Sequence, residues 1–256
     1  MKWPTYIAVV RHGESEFNKL KKELEQDKLW AKFLKEYKKD INSVTTRALA
    51  WELLEKFPFQ YSDYDTPLTA LGLRQAVLTG VFLKNQIEIP DVVITSPYLR
   101  CRQTFKGLET GWPELSRVQF YTDEFIAERD VGLRGLYLHW RIFYVYHPEQ
   151  KKLYDSKGYY QYRFPQGENI PDVRLRLRKF NDTLIREFAD KRVLLVTHHQ
   201  TILADWANRE RMSPEEFLVL DKSNPPKNCS FTLYRGYPEL GKDGKLILEK
   251  YNEVCI

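Results

Sequence analysis

The chain has 256 residues, 43% hydrophobic and 29% charged, which is the composition of an ordinary globular protein with enough length for a well-buried core. Its formal charge of +5 suits anionic ligands but falls short of a nucleic-acid footprint, and no run approaches the roughly 18 apolar residues that a membrane span needs. Cys101, Cys229 and Cys255 are too few and too scattered for a disulfide framework or a metal-spacing pattern. With no signal-peptide pattern at the start, they point to a reducing cytoplasm.

In chain order, the first element is an apolar strand, Tyr6–Val10, which ends abruptly in Arg11-His12-Gly13-Glu14. A strand that stops in a cation, an imidazole and a glycine reads as one whose carboxyl end opens into a site, where ligands of α/β sheets sit. Arginine offers a planar fork for phosphate, a neutral imidazole can attack phosphorus, and glycine permits close backbone approach. Residues 19–57 interrupt with a Lys-rich helix striped by Trp30, Phe33, Leu34, Tyr37 and Ile41, then a second helix around Leu49, Leu53 and Leu54. The charge there reads as a solvated helix face. Leu73, Ala76, Val77 and Val81 mark the next helix. Strand Val92–Thr95 runs into Ser96-Pro97-Tyr98-Leu99-Arg100, which places Arg100 at a strand-to-helix junction.

Strand Val118–Tyr121 is followed by Phe125-Ile126-Ala127-Glu128-Arg129-Asp130. Residues 133–165 form a second interruption, dense in aromatics from Tyr137 to Phe164, which reads as a packed helical cap or a lid over strand ends. Phe164-Pro165-Gln166-Gly167-Glu168-Asn169 then leads into a helix carrying Val173, Leu177, Phe180, Leu184 and Phe188. Strand Val193–Thr197 ends in His198-His199-Gln200, and two strand-like runs, Phe231–Tyr234 and Leu246–Tyr251, close the chain. Strands alternating with helices predict a three-layer α/β/α sandwich with a mostly parallel sheet and a helical, aromatic cap insertion. The expected organisation is one domain over residues 1–256 with insertions at about 19–57 and 133–165. His12, Arg100, Glu128 and His198 then fall on one edge of one sheet. Each has a dull reading alone, but the four together in this order describe a phosphate-handling constellation.

That set of motifs resembles the histidine phosphatase superfamily, which includes the cofactor-dependent phosphoglycerate mutases. The resemblance runs from Tyr6 to about Leu203 and takes in Thr66-Pro67-Leu68-Thr69-Ala70-Leu71-Gly72, similar to the family's turn into its first core helix. It implies that His12 is the phosphorylated nucleophile, Arg11 and Arg100 the phosphate-binding arginines, Glu128 the proton donor, and His198 the histidine opposite the nucleophile. Asn18 matches the asparagine that follows the opening motif. Glu124 and Asp130 are rival acids that fit the spacing less well.

The expected chemistry is hydrolysis of a small phosphomonoester through a phosphohistidine, with no cofactor, metal, nucleic acid or membrane involved. Arg11, Arg100 and backbone amides near His12 would hold the equatorial oxygens, with His198 partly cationic once substrate is bound. A mutase is the alternative. Against it, residues 133–165 carry only isolated Arg134, Arg141 and Arg163, and the mutase-like asparagine after the second histidine is missing. A catalytically silent phospho-ligand module would be expected to lack His12 or Glu128, and both are present. Two departures stand out: His199 replaces the family's small glycine beside His198, and Asn169 replaces a serine of the phosphatase-type branch.

Overall fold

The computed structural model describes residues 2–255. Among the described residues, sixteen regular strands and α-helices follow one another. They begin with β1 (Tyr6–Arg11), α1 (Glu16–Gln26), α2 (Lys28–Lys39), α3 (Val44–Lys56), α4 (Ala70–Lys84), β2 (Val92–Thr95), α5 (Leu99–Gly111) and β3 (Gln119–Thr122). Next come α6 (Trp140–Tyr146), α7 (Pro148–Gln161), α8 (Ile170–Glu187), β4 (Arg192–Thr197), α9 (His199–Arg209), α10 (Pro214–Ser223), β5 (Phe231–Tyr237) and β6 (Lys245–Glu253). The chain divides into two compact units: residues 1–15, 64–128 and 172–256 form the first, and residues 16–63 and 129–171 the second. The insertions expected at about 19–57 and 133–165 lie within the two segments of the second unit.

The first unit holds a six-stranded sheet in the order β3-β2-β4-β1-β5-β6. Its pairs are parallel from β3 to β1 and antiparallel from β1 to β6, so the sheet is mixed, with its parallel half carrying every candidate strand end. Strands β1, β2 and β4 are apolar and buried because helices cover both faces. Alternate side chains sort accordingly. Tyr6, Ala8, Val10, Val93, Leu194 and Val196 pack with Leu83 of α4 and with Cys101, Phe105 and Leu108 of α5. Val9 and Leu195 face the other way, lining a small void with Leu177 and Phe180 of α8 and Ile202 of α9.

The third strand falls one residue later than the apolar run Val118–Tyr121 predicts. A 3-10 turn over Pro113–Arg117 ends at Val118, whose amide bonds back to the Leu115 carbonyl, and pairing with β2 starts only at Gln119. As an edge strand β3 is exposed at all of its residues. Among the described residues, no helix is long and apolar enough to cross a membrane.

The second unit is helical and holds two aromatic-rich clusters. Leu24, Trp30, Phe33, Leu49 and Leu53 from α1 to α3 pack with Leu138, Ile142 and Val145. Phe143, Tyr144, Tyr162 and Phe164 form the other cluster, backed by Tyr137, Trp140 and Tyr154. His139 lies edge-on to Trp30 at 4.6 Å between ring centres, and burial pushes its imidazole down to about 2.

One contact positions the loop after β1. The Glu14 carbonyl accepts from the Thr69 amide at 2.9 Å, and the Glu14 amide donates to the Gln75 side chain at 2.9 Å. Thr69 also caps α4, its hydroxyl accepting from the Gly72 amide at 3.0 Å. Gly13 and Gly72 meet backbone to backbone: a Cβ on Gly13 would stand 2.5 Å from the Gly72 carbonyl oxygen, and one on Gly72 would strike the Glu14 carbonyl. Gly72→Ala should therefore cost about 2 kcal/mol or more in urea unfolding, whereas Leu71→Ala, at a half-exposed neighbour, should stay within about 0.5 kcal/mol. Similar midpoints for the two variants would contradict this close approach.

Candidate active site

The first unit gathers Arg11, His12, Arg100, Glu128 and His198 at the carboxyl ends of its parallel strands. Arg11 is the last residue of β1 and His12 follows it. Arg100 lies in the first turn of α5, just beyond β2. Glu128 follows β3 and a 3-10 turn at Glu124–Ile126, and His198 joins β4 to α9. Asn18 sits in α1 of the second unit.

His12 is 4% exposed, and its Nδ1 is 2.7 Å from the Gly13 carbonyl oxygen. A carbonyl can only accept, so the ring proton resides on Nδ1 and the Nε2 lone pair is left available. Burial, reinforced by the Arg100 and Arg11 charges, holds the imidazole well below its ordinary value. His12 is thus neutral, of fixed tautomer, and nucleophilic at Nε2.

His198 is fully buried, its ring edge-on to His12 at 5.2 Å between centres. Arg100 Nε donates to His198 Nδ1 at 3.3 Å, so the ring proton is on Nε2, which meets Ser96 Oγ at 2.7 Å. Burial and the Arg100 charge hold this imidazole neutral as well, so any cationic character with a phosphate bound must come from the phosphate's own charge. Arg100 also stacks over the Tyr98 ring at 4.7 Å.

Arg11 is held by a backbone oxygen: its Nη1 donates to the Pro226 carbonyl at 2.6 Å, while its Nε is buried and meets no acceptor among the described residues. Burial lowers the Arg11 pKa, and among its charged neighbours Glu128 most strongly opposes that fall. A buried guanidinium with an unused N–H is a ready partner for an anion.

The expectation that backbone amides beside His12 grip a ligand is corrected here. The His12 amide donates to the Thr197 carbonyl at 2.9 Å, and the Gly13 amide donates to Thr104 Oγ1 at 3.0 Å. Both serve to hold the loop, so neither amide is free for a ligand. Thr104 in turn donates to the Arg100 carbonyl at 2.7 Å, and Asn228 Nδ2 donates to the His12 carbonyl at 3.1 Å.

Glu128 is aimed by its neighbours. The Gln200 amide, in the first turn of α9, donates to Glu128 Oε1 at 3.2 Å. The preceding backbone hangs from three side chains: Thr197 donates to the Ile126 carbonyl at 2.6 Å, Thr201 to Ala127 at 2.5 Å, and Arg176 to Ala127 and Glu128 at 2.9 and 3.1 Å. Glu124 lies within the 3-10 turn, and Asp130 belongs to the second unit, where it accepts from the Gly132 amide at 2.7 Å. Asn169, also of the second unit, donates to the Gln161 carbonyl at 3.1 Å.

Ser96, Thr104, Gln200, Asn228 and Arg176 are supporting residues that motif reading did not single out. Asn228 had one faint signal, the Pro225-Pro226 turn before it; the others depend on neighbours remote in sequence. Among the described residues, no group of three or more His, Cys, Asp or Glu side chains could hold a metal ion.

The two buried neutral imidazoles carry a pH signature. Above the ordinary histidine value of 6.5 both folded and unfolded rings are neutral, so no stability depends on them; below it the unfolded rings take up protons that the folded ones refuse. Stability should fall by roughly 1 kcal/mol per pH unit for each buried ring as acid is added below about pH 6.5. Urea midpoints at about pH 7.5 and about pH 5.5 should differ more for the wild type than for His198→Gln. The same pH dependence in both proteins would show that His198 is not held neutral.

The sequence matches the family model of the histidine phosphatase superfamily (branch 1) over residues 50–242, a stretch that contains Arg100, Glu128 and His198 and begins after Arg11 and His12. No curated protein matches the chain. Among solved structures, a mycobacterial glucosyl-3-phosphoglycerate phosphatase complexed with VO3 is 18% identical with a TM-score of 0.62, covering 97% of this chain and 99% of that one. A candidate α-ribazole-5′-phosphate phosphatase from Escherichia coli is 16% identical with a TM-score of 0.65, covering 99% of each chain. Bacillus stearothermophilus YhfR is 18% identical with a TM-score of 0.65, covering 97% of each. At such identities the likeness is one of fold, and the family match over most of the chain completes the assignment: the chain belongs to the histidine phosphatase superfamily.

Proposed function

We propose that this protein is a phosphomonoester phosphatase that works through a phosphohistidine on His12. The observation that carries the reading is the pairing of a neutral His12, whose Nδ1–H is committed to the Gly13 carbonyl, with a buried Arg11 Nε that has no acceptor among the described residues. Such an arrangement lacks only an anion with an electrophilic centre. Phosphoryl transfer asks mainly for positioning and charge stabilisation, and the buried site supplies both.

His12 Nε2 attacks phosphorus in line while Arg11 and Arg100 neutralise the equatorial oxygens. Glu128 passes a proton to the departing ester oxygen, so that the leaving group exits as an alcohol. In the second half-reaction the Glu128 carboxylate takes a proton from water, whose oxygen attacks the phosphohistidine. Phosphate leaves, neutral His12 is regenerated, and Glu128 ends protonated as it began. His198 orients Arg100 through its Nδ1 and lies edge-on to the nucleophile.

The substrate is a small phosphorylated molecule, and no step calls for a metal or an organic cofactor. The superfamily match and the phosphatase names borne by two of the structural neighbours support hydrolysis as the outcome. Conversion of 3-phosphoglycerate to 2-phosphoglycerate faster than phosphate release would overturn it in favour of a mutase.

His12→Ala should abolish turnover of 4-nitrophenyl phosphate, and the wild type should trap an acid-labile phosphoenzyme that the variant lacks. Retained turnover in the variant would sink the nucleophile assignment. Glu128→Gln should slow esters of poor leaving groups by about 100-fold or more beyond its effect on 4-nitrophenyl phosphate, because only poor leaving groups need the proton. Equal losses on both kinds of ester would give Glu128 a purely structural role.

A further inference from the structure

His199 stands where the family carries a small residue, and it is tied to a partner that nothing above has used. Its Nε2 lies 2.7 Å from Asp221 Oδ1 on α10. The same carboxylate accepts from the side-chain amide of Gln200 at 3.3 Å on each oxygen. A carboxylate receiving donors on both oxygens acts as an acceptor, which places the imidazole proton of His199 on Nε2. In the neutral ring Nδ1 then carries the lone pair and can accept a hydrogen bond.

Two observations place this imidazole beside the proposed site. His199 is the first residue of α9, next in sequence to His198. Its side chain is 25% exposed, so a ligand can reach it, whereas the His12 and His198 rings are buried. Asp221 also links it to the proton donor, since Gln200, whose side chain Asp221 holds, uses its backbone amide to hold Glu128 Oε1 at 3.2 Å. The leaving group departs beside Glu128, so a group anchored to the same support is placed to contact it.

We propose that His199 is a specificity-determining residue whose Nδ1 accepts a hydrogen bond from a hydroxyl of the leaving group, with Asp221 as its positioning residue; this rests on the phosphatase reading above. The implied substrate class is a phosphomonoester of a hydroxyl-rich alcohol, such as a polyol or sugar. Aryl or simple alkyl esters leave Nδ1 without a donor. No covalent step is added, and the effect is one of selective binding during transfer.

The test compares kcat/KM for 4-nitrophenyl phosphate with that for glycerol 3-phosphate, ribose 5-phosphate and glucose 6-phosphate in the wild type and in His199→Ala, Asp221→Ala and Asp221→Asn. For the best hydroxylated ester, the loss in His199→Ala should exceed its loss on the aryl ester by about fivefold, mainly through KM, as one hydrogen bond predicts. Asp221→Ala should show the same selective loss. Asp221→Asn should restore part of it, because its amide oxygen can still accept from Nε2. Equal losses on both ester classes, no loss at all, or a wild type that turns over none of the three hydroxylated esters would overturn the proposal. Failure of the phosphatase reading looks different: the wild type would then form no phosphoenzyme with 4-nitrophenyl phosphate either.

Discussion

The structure turns on the cost of keeping a guanidinium and two imidazoles dry at the ends of parallel strands. Burial alone works against positive charge, so both histidines shed their protons, while Arg11 keeps its charge and depends on polar neighbours. Arg11 has the Pro226 carbonyl for one N–H, and its Nε has no acceptor among the described residues. This is an unfavourable arrangement for a structural core and a favourable one for binding an anion.

Everything around the site serves to hold that arrangement still. The His12 loop is fixed from three directions: the His12 amide bonds to β4, the Gly13 amide to α5 through Thr104, and the His12 carbonyl receives Asn228 from the loop before β5. The Gly13–Gly72 approach then leaves no room for a side chain between this loop and α4. Glu128 is held differently. It has no strand of its own and hangs from Thr197, Thr201, Arg176 and the first turn of α9. His12 is thus built into the end of the sheet, whereas Glu128 is carried by a loop that α8 and α9 support.

In the second unit, the aromatic residues have a packing role that accounts for their density. Rings from Tyr137 to Phe164 contact one another at 5.0 to 6.3 Å, in the edge and offset arrangements that aromatic quadrupoles prefer. Arg141 lies over Trp140 at 4.0 Å and Arg134 over Phe17 at 5.9 Å, so these two isolated arginines of the segment already sit on rings. Aromatic composition there reads first as core and only then as a surface for substrate.

The alternation of apolar strands and amphipathic helices was legible in the chain because hydrophobic period reports local geometry directly, and the strands at Tyr6, Val92, Val193 and Phe231 begin within a residue of where their apolar runs do. The strand-end placement of His12, Arg100, Glu128 and His198 was legible for the same reason. Each follows a strand, and parallel strands bring their carboxyl ends to one edge. Hydrogen-bond partners distant in sequence were not legible. That the amides of His12 and Gly13 are already occupied, that Arg100 fixes the tautomer of His198, and that Asp221 holds His199 all depend on which loops meet in space. The composition of a single segment carries no record of that meeting. The sequence by itself determined the order of elements and the chemical groups at the strand ends, since both are local properties. Only the tertiary structure decided protonation states, hydrogen-bond partners and the unused N–H of Arg11, since these arise from burial among residues as many as 216 positions apart.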